Sequence, residues 1–384
     1  MRNRDTIMIV GCGELGGILL EYLCRIPNIG NIVVADVNED AVRRKVNSAL
    51  HGASFLGLYP NITHTTIDLL NQEQSAALLA KVNPCVIFNG TTLQSWWVVN
   101  EIPQELNAKL YLPRVGLGGW VPMHLALTAK LMQAVKASGI DTHVVNSSFP
   151  DVTNVALDKL GMAPTIGIGN GCLLLPYIRK AASEMLGIPS CNINIEFIAH
   201  HYHCYNWARS GTGTEAPHYL QVYDGTRNIT QELGPIKDFV AKLPEVGARP
   251  GGRGGQYLVA ASCLRNVLDI FFDTNELGMS PAPLGLEGGY PVRLSRKGAE
   301  LALPGGVSKE QARALMLEAQ QFDGIMSIEA NGDVHLTDEV ASLYKNEFKI
   351  DWSVVTVKDS FDQAGELRRK FLEFLERHGV NVPK

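Results

Sequence analysis

Three histidines, His200, His201 and His203, lie close together in the segment IAHHYHCYNW. An imidazole has a pKa of about 6.5, so it can take the proton of an alcohol as a hydride leaves and return it in the reverse direction. Side chains alternate along a strand, so a strand here would place His201 and His203 on one face and His200 on the other. The segment predicts a proton carrier; one functional histidine with two packing or surface histidines is the alternative.

A glycine motif near the start of the chain could bind the redox cofactor that such chemistry needs. The apolar run Ile7 to Val10 leads into GCGELG, and an apolar-periodic helix follows. The first glycine would make the tight turn, the second would admit a pyrophosphate, and the third would let the helix close on the strand. The helix N-terminus would offer free N–H groups to the phosphates. The predicted cofactor contacts of this turn are Gly11, Gly13, Glu14, Leu15 and Gly16.

The next predicted strand, NIVVAD, ends in Asp36, about 20 residues beyond the last glycine of the motif. A carboxylate at this place accepts hydrogen bonds from ribose hydroxyls and repels a 2′-phosphate. The motif therefore predicts NAD rather than NADP. The alternative is an ordinary glycine-rich turn between a strand and a helix.

Other polar residues follow later predicted strands, and ligands bind at the carboxyl ends of parallel strands. We expect Asp68 beside the adenine, Asn89 and Gly90 beside the nicotinamide half, and Asn146 at the end of the strand THVVN. The alternation of strands and helices predicts an N-terminal Rossmann domain, a doubly wound parallel sheet, over residues 1–150.

The composition favours a reduced, soluble enzyme of about two domains. The net charge of −5 over 384 residues, with no basic run, argues against nucleic acid as the main partner. The seven cysteines form no CxxC pair, which favours reduced thiols and a cytoplasmic protein. No signal peptide and no apolar span of membrane length is visible, so we expect no membrane association.

Beyond residue 146 the order of the motifs resembles the lactate and malate dehydrogenase superfamily, which includes the NAD-dependent family-4 glycoside hydrolases. The resemblance covers roughly residues 6 to 322 and implies an α+β second domain after the Rossmann domain. The matching segments are NSSFPDVTNVALDKLG with Asn146, Pro150, Asp151, Thr153 and Ala156, IGIGNGC with Cys172, the exit LGIP from Leu186 to Pro189, and GLEGGYPVRLSRKGAELAL before a helix from Ser308.

The resemblance also implies which residues would act on the substrate. Counting from LGIP, the family's catalytic histidine falls on His201, with His203 as the neighbouring candidate. Asn146 would hold the substrate or the nicotinamide carboxamide, and Arg114, in the long connection after the fourth strand, would bind a substrate anion. Asp151 is the reserve candidate for the base.

The chain departs from the dehydrogenase pattern after the glycine-cysteine turn. There the family has an Asp that orients the histidine and an Arg that grips the substrate carboxylate; this chain has Leu174 or Leu175 at the Asp position, and Arg179 is displaced by one or two residues. On a helix that displacement turns Arg179 to another face. We therefore expect a substrate other than lactate or malate. In the glycine-rich bend ARPGGRGGQ, Arg249 and Arg253 could hold an anion, with a mobile surface loop as the alternative.

A metal site is the alternative suggested by the glycosidases of the superfamily. In those enzymes a Cys after the glycine turn and a His on the next element bind a divalent ion, and Cys172 and His201 lie near those positions. The run GLGG from Gly116 to Gly119 also resembles their GxGG segment. Leu173 and Leu174 follow the cysteine here, however, which disfavours a polar metal pocket. We therefore predict no metal.

These patterns together predict an NAD-dependent dehydrogenase or reductase acting on a hydroxyl- or amine-bearing carbon of a small polar substrate. The alternatives are redox-assisted elimination of the glycosidase kind and a non-catalytic NAD-binding protein. The predicted divisions are a Rossmann domain over 1–150, a catalytic α+β domain over 151–324, and a C-terminal extension over 325–384 with a hairpin and an amphipathic helix. We also expect a homodimer or homotetramer.

Overall fold

A six-stranded parallel sheet forms the N-terminal part of the chain. The structure is a computed structural model, and it describes residues 6–100, 103, 105–107 and 116–380. The strands of the sheet are β1 (Thr6–Val10), β2 (Asn31–Asp36), β3 (Asn61–Thr66), β4 (Val86–Asn89), β5 (His143–Asn146) and β6 (Ile166–Gly167). Their order in the sheet is β3-β2-β1-β4-β5-β6, so the direction of winding reverses between β1 and β4. A ligand cleft is expected at that reversal.

The helices that cover the sheet are α1 (Glu14–Leu23), α2 (Glu39–Ser54), α3 (Gln72–Val82), α4 (Val121–Ser138) and α5 (Pro150–Asp158). Their ends follow local chemistry. The side chains of Asn38 and Asn71 accept hydrogen bonds from the first turns of α2 and α3, and Gly139 ends α4 in the left-handed conformation. β6 lies beyond residue 150, so the sheet extends past the boundary predicted from the sequence.

The second part of the chain contains two antiparallel sheets. Its helices are α6 (Leu175–Leu186), α7 (His201–Tyr205), α8 (Ile236–Val246), α9 (Gln256–Phe272) and α10 (Lys309–Phe322). Its strands are β7 (Ile193–Ile198), β8 (Tyr219–Asp224), β9 (Arg227–Asn228), β10 (Glu276–Pro281), β11 (Gly289–Ser295) and β12 (Gly298–Leu301). A bridge between Ala199 and Gly289 joins the two sheets, and α9 packs on α1 of the first part. The predicted α/β fold class is confirmed.

The C-terminal extension forms a small sheet and two helices. Its elements are β13 (Ile325–Ile328), β14 (Val334–Leu336), α11 (Asp338–Leu343), β15 (Val354–Val355) and α12 (Ser360–Arg377). The predicted hairpin is present, because β13 and β14 pair antiparallel around Gly332. α12 packs on α4, and the ring of Phe371 lies 5.3 Å from that of Trp120. Its apolar stripe is therefore part of the main core. No helix among the described residues is both long and apolar enough to cross a membrane.

Candidate active site

The glycine motif forms a tight turn at the reversal of the sheet. Gly11 has a φ of 89°, and a Cβ there would lie 2.7 Å from the carbonyl carbon of Gly90. A Cβ on Gly16 would lie 2.3 Å from the carbonyl oxygen of Gly11, so only glycine lets α1 close on β1. Around the Cβ position of Gly13 no described atom lies within 4 Å. Gly13 therefore faces the open space that a pyrophosphate would need.

That space is a cleft of about 500 Å³ along the carboxyl ends of the strands. Val37, Ile67, Leu69 and Leu70 give one end of it an apolar wall, which fits the flat face of an adenine. Phe361 of α12 also borders the cleft. The predicted cofactor residues that line it are Gly11, Gly13, Glu14, Leu15, Asp36, Asp68 and Gly90.

Two backbone N–H groups hold the carboxylate of Asp36 at the wall of the cleft. Oδ2 accepts a hydrogen bond of 2.7 Å from Cys12, and Oδ1 accepts one of 3.2 Å from Asn38. Lys45 of α2 donates to the carbonyl oxygens of Cys12 and Gly13, which ties the turn to α2. The contact of Lys45 with the glycine turn could not be predicted from the sequence, because a lysine inside a polar helix belongs to no motif. These contacts fix Asp36 beside the turn, where a ribose bound in the cleft would lie.

From this geometry we expect NADH to bind at least about tenfold more tightly than NADPH, since one ribose contact or charge repulsion contributes ~1.4 kcal/mol. Asp36→Ala should narrow the difference, as measured by fluorescence titration with both cofactors. Asp40→Ala removes an exposed carboxylate that pairs with Arg43 on α2 and should leave the ratio unchanged. Equal affinities in the unmodified protein would show that Asp36 does not contact the ribose.

Asn146 and Asn89 do not occupy the places that the sequence predicted for them. Both are buried, and neither lines the cleft. The Asn146 amide donates to Thr153 and Asn154, and its oxygen accepts from Asn89 and from the backbone of Ser148. An amide has two donor hydrogens and two acceptor sites, so all four are used. The prediction that Asn146 holds the substrate or the nicotinamide carboxamide is therefore wrong, and its role is to join the ends of β4 and β5.

The neighbours of these two asparagines line the cleft instead. Thr91 and Thr92 follow Asn89, and Ser147 and Ser148 follow Asn146, and all four border the cleft. Asn89 accepts hydrogen bonds from the backbone and hydroxyl of Thr91, and Ser147 donates to the Asn89 carbonyl. The polar residues that line the cleft thus follow Asn89 by two or three positions and Asn146 by one or two, and the predicted residue Gly90 also lines it.

The histidine segment is a short helix rather than a strand. β7 ends at Ile198, His200 precedes the first turn, and α7 begins at His201. On a helix, positions two apart point about 200° from each other, so the prediction that His201 and His203 share a face is wrong. His203 is buried against Trp207 with Nε2 at 3.2 Å from the Ala216 carbonyl, and burial lowers its pKa to about 3. We therefore assign His203 to packing rather than catalysis.

His201 is paired with a buried carboxylate that the sequence analysis did not identify. Its Nδ1 lies 2.7 Å from Oδ2 of Asp323, and its side chain is 17% exposed while that of Asp323 is fully buried. Burial alone would lower the pKa of His201, but the charge and hydrogen bond of Asp323 outweigh it and raise that pKa above its ordinary value. Burial likewise would raise the pKa of Asp323, and His201 holds it below its ordinary value. Nε2 of His201 has no hydrogen-bond partner among the residues that the structure describes.

The backbone of the run GLGG holds Asp323 in place. Leu117 donates its backbone N–H to Oδ1 of Asp323 at 2.9 Å, and Gly118 donates to the Asp323 carbonyl at 2.8 Å. A Cβ on Gly116 would lie 2.3 Å from the Asp323 Cα, and Gly116 has a φ of 63°. These glycines, which resemble the GxGG segment of the family-4 glycosidases, thus allow the GLGG backbone to lie close to that of Asp323. The carboxylate that pairs with His201 is therefore that of Asp323, whereas Leu174 and Leu175 supply none.

Asp151 positions the same histidine from its other side. It is buried, its Oδ1 accepts the backbone N–H of His201 at 3.1 Å, and its Oδ2 accepts from the amide of Asn170. It lines neither the cleft nor the cavity beside His201. Its prediction as a base is therefore corrected: Asp151 holds the backbone that carries His201.

A second cavity, of about 110 Å³, adjoins the cleft and contains His201 on its wall. The side chains of Arg209 and Arg249 also line this cavity, and no Asp or Glu is among its described lining residues. Arg209 stacks over the ring of Tyr205 at 5.3 Å, and Nε of Arg249 donates to the hydroxyl of Tyr177 at 2.6 Å. The residues that border both spaces are Trp96, His124, Ser147, Gln256 and Val259.

The other predicted arginines have different positions. Arg179 donates to the Ile193 carbonyl at 3.2 Å and lines neither space. Arg253 lies 3.9 Å from Glu14 on the surface. Arg114 lies outside the described residues. Within the described part of the chain, the positive charge on the cavity wall comes from Arg209, in the turn Asn206–Ser210 after α7, and from Arg249.

The alternative metal ligands are not arranged for an ion. The thiol of Cys172 donates to the Gly169 carbonyl at 2.9 Å, and burial raises its pKa to about 11. Leu173 lines the cavity, whereas Cys172 does not. Among the described residues, no three His, Cys, Asp or Glu side chains are grouped so that they could hold a metal. The geometry around Cys172 thus gives the metal alternative no support.

The fold is similar to that of lactate and malate dehydrogenases of known structure. The lactate dehydrogenase of Cryptosporidium parvum, solved with lactic acid and NAD, is 15% identical with a TM-score of 0.57, over 84% of this chain and 98% of that one. The malate dehydrogenase of Plasmodium falciparum with NADH is 15% identical with a TM-score of 0.56, over 94% and 99%. The lactate dehydrogenase of Eimeria maxima with NADH and oxamate is 15% identical with a TM-score of 0.58, over 84% and 92%.

No protein-family model and no curated protein sequence matches this chain. The structural likeness therefore shows the fold, and the function has to be proposed from the site itself.

Proposed function

We propose that the protein is an NAD-dependent oxidoreductase that transfers hydride between the cofactor and a hydroxyl- or amine-bearing carbon of a small polar substrate. The observation that carries this proposal is that the paired His201 lies on the wall of a cavity that opens into the glycine-lined cleft. A nicotinamide ring at the junction of the two spaces would lie next to a substrate held beside His201. The glycine turn and Asp36 fit NAD, because they combine close backbone approach with an acceptor for the ribose.

NAD, when bound, accepts or supplies hydride at C4 of its nicotinamide. In the oxidative direction the substrate loses a hydride from carbon and a proton from its hydroxyl, and Nε2 of His201 takes the proton. Asp323 fixes the tautomer, because Nδ1–H donates to its carboxylate and leaves Nε2 as the acceptor. The imidazolium that forms is stabilised by the same carboxylate. In the reductive direction the proton returns from Nε2 to the new alkoxide oxygen.

We further propose that the substrate is anionic. Arg209 and Arg249 line the cavity without an opposing carboxylate among its described lining residues, so a carboxylate or phosphate would meet uncompensated positive charge. Two structural neighbours were solved with lactic acid and oxamate, which are small carboxylates. Because these arginines come from other elements than α6, we propose an anion placed differently from that of lactate or malate.

A substrate panel tests the proposal. Hydroxy acids, amino acids and phosphosugars should include a compound that changes the NADH absorbance, and neutral polyols should not react. NADH binding without turnover of any compound would favour the non-catalytic alternative. Metal-dependent cleavage of a glycoside without net NADH would favour the glycosidase-like alternative.

We also propose that the protein assembles as a homodimer or homotetramer, because closed symmetric oligomers are the commonest assemblies. Large apolar side chains are exposed after α2, where Phe55 is 92% and Tyr59 is 81% accessible. Burial of such side chains between subunits would remove them from water. We expect light scattering to give at least twice the 41.9 kDa of one chain. A mass of one chain would contradict this prediction.

A further inference from the structure

His124 is a buried histidine at the junction of the cleft and the cavity. It lies in the first turns of α4, its residue is 4% exposed, and it lines both spaces. Neither Nδ1 nor Nε2 has a hydrogen-bond partner among the described residues. The ring of Phe149 lies 6.3 Å away, edge to face, and offers no hydrogen-bonding atom.

A buried imidazole without hydrogen-bond partners lowers the stability of the folded protein. A buried donor or acceptor without a partner has lost its hydrogen bonds to water and gained none in return. Burial, and to a lesser extent the nearby His201, lowers the pKa of His124 to about 3, so the ring is neutral at ordinary pH. A neutral ring has one N–H donor and one acceptor nitrogen, and neither is used.

His200 provides an internal comparison. Both of its ring nitrogens also lack hydrogen-bond partners, and it is fully buried. However, its Nδ1 lies 3.6 Å from Asp323, and it lines neither the cleft nor the cavity. His124 is therefore the unpartnered histidine that a ligand in these spaces can reach.

We propose that His124 is a ligand-binding residue that donates a hydrogen bond to a carbonyl-type oxygen at the junction. This inference rests on the proposed function, which places a nicotinamide and a substrate there. Two groups offer the required acceptor: the carboxamide oxygen of the nicotinamide and the carbonyl oxygen on the reacting carbon of the oxidised substrate. In either case His124 remains neutral and is distinct from His201, which exchanges the proton.

The test compares His124→Phe and His124→Gln with the unmodified protein. Phe keeps a ring without polar atoms, and Gln keeps a donor and an acceptor. If the carboxamide is the partner, the Kd for NADH without substrate rises about tenfold in His124→Phe, the scale of one hydrogen bond, and recovers in part in His124→Gln. If the substrate oxygen is the partner, the NADH Kd is unchanged and kcat/KM falls by about tenfold or more.

Thermal unfolding of the protein without ligands gives the second measurement. His124→Phe removes two unpaired polar atoms, so we expect its Tm to equal or exceed that of the unmodified protein while its ligand binding weakens. An unchanged NADH Kd together with unchanged kcat/KM would overturn the inference and leave the proposed function standing.

Spectra of the protein with ¹⁵N-labelled histidine decide the question if His124→Phe does not fold. The ring nitrogens of His124 should shift when NADH, or NADH with substrate, is added to the unmodified protein. Absence of a shift under saturation would overturn the inference. If the unmodified protein binds no NADH at all, the proposed function fails and this inference falls with it.

Discussion

Replacing His201 with Asn is expected to lower turnover by about 10²- to 10⁴-fold, the usual contribution of a positioned proton-transfer group. Asn can donate a hydrogen bond to Asp323 but cannot take a proton from the substrate. NADH affinity should remain nearly unchanged, because the predicted cofactor contacts lie in the cleft of the first part of the chain. The measurements are kcat from NADH absorbance and Kd from fluorescence titration of the same preparation.

Two other histidines serve as controls for this variant. His335→Asn changes a half-buried position on β14 outside both spaces and should leave turnover unchanged. His203→Asn should reduce stability, since that ring is buried, without removing the proton carrier. If folded His203→Asn loses turnover while His201→Asn keeps most of it, the role passes to His203. If both His201→Asn and His203→Asn turn over normally, this segment carries no chemistry.

The second large effect is expected for Asp323→Asn. The Asn oxygen can still accept the N–H of Leu117, but the charge beside His201 is lost. An Asn amide can also donate to Nδ1, which would hold the imidazole in the wrong tautomer. We expect turnover to fall by at least about 10²-fold. Circular dichroism and the NADH Kd should show that the fold and the cofactor site persist.

The pH profile separates this cause from a general loss of structure. In the unmodified protein the pKa of His201 lies above its ordinary value because Asp323 outweighs burial. Without the charge, burial dominates and the pKa falls below its ordinary value. Reduction needs protonated His201, so the rate of reduction falls as pH rises through that pKa. In Asp323→Asn this fall in rate moves to lower pH. Oxidation needs neutral His201, so its rising limb also moves to lower pH. A profile of kcat/KM that stays in place would contradict the pairing.

Local patterns sufficed to predict the first part of the fold and most of its cleft. Gly11, Gly16 and Asp36 lie in one continuous strand-turn-helix-strand unit, so their spacing alone determines how they meet. The errors at Asn89 and Asn146 have a common cause. The ends of β4 and β5 were predicted correctly. Side chains alternate along a strand, however, so one residue points inward and the next outward. The hydrogen bonds of each side chain then decide which residue can still bind a ligand in the cleft.

The pairing of His201 with Asp323 could not be predicted because the two residues meet only in the tertiary structure. Asp323 follows the last turn of α10, where an acid before a glycine looks like an ordinary helix end. Its partner is 122 residues away. The sequence analysis considered a strand for the segment of His201, but the strand ends at Ile198 and a helix begins at His201. Contacts over such separations leave no periodicity in the sequence.

The C-terminal hairpin helps to hold Asp323 in place. The carbonyl of Gly324 accepts the N–H of Thr337 at 3.0 Å, so the hairpin holds the peptide that follows Asp323, while Leu117 and Gly118 hold Asp323 itself. The GLGG run, the segment of His201 and the hairpin are far apart in the chain. All three must therefore pack together before the carboxylate of Asp323 lies beside His201. During folding, the turn of the glycine motif can form early, because its residues lie in one continuous segment, whereas the pairing of His201 with Asp323 needs long-range contacts and forms late. Local opening of the hairpin in the native protein would likewise separate His201 from its carboxylate while the glycine turn stays intact.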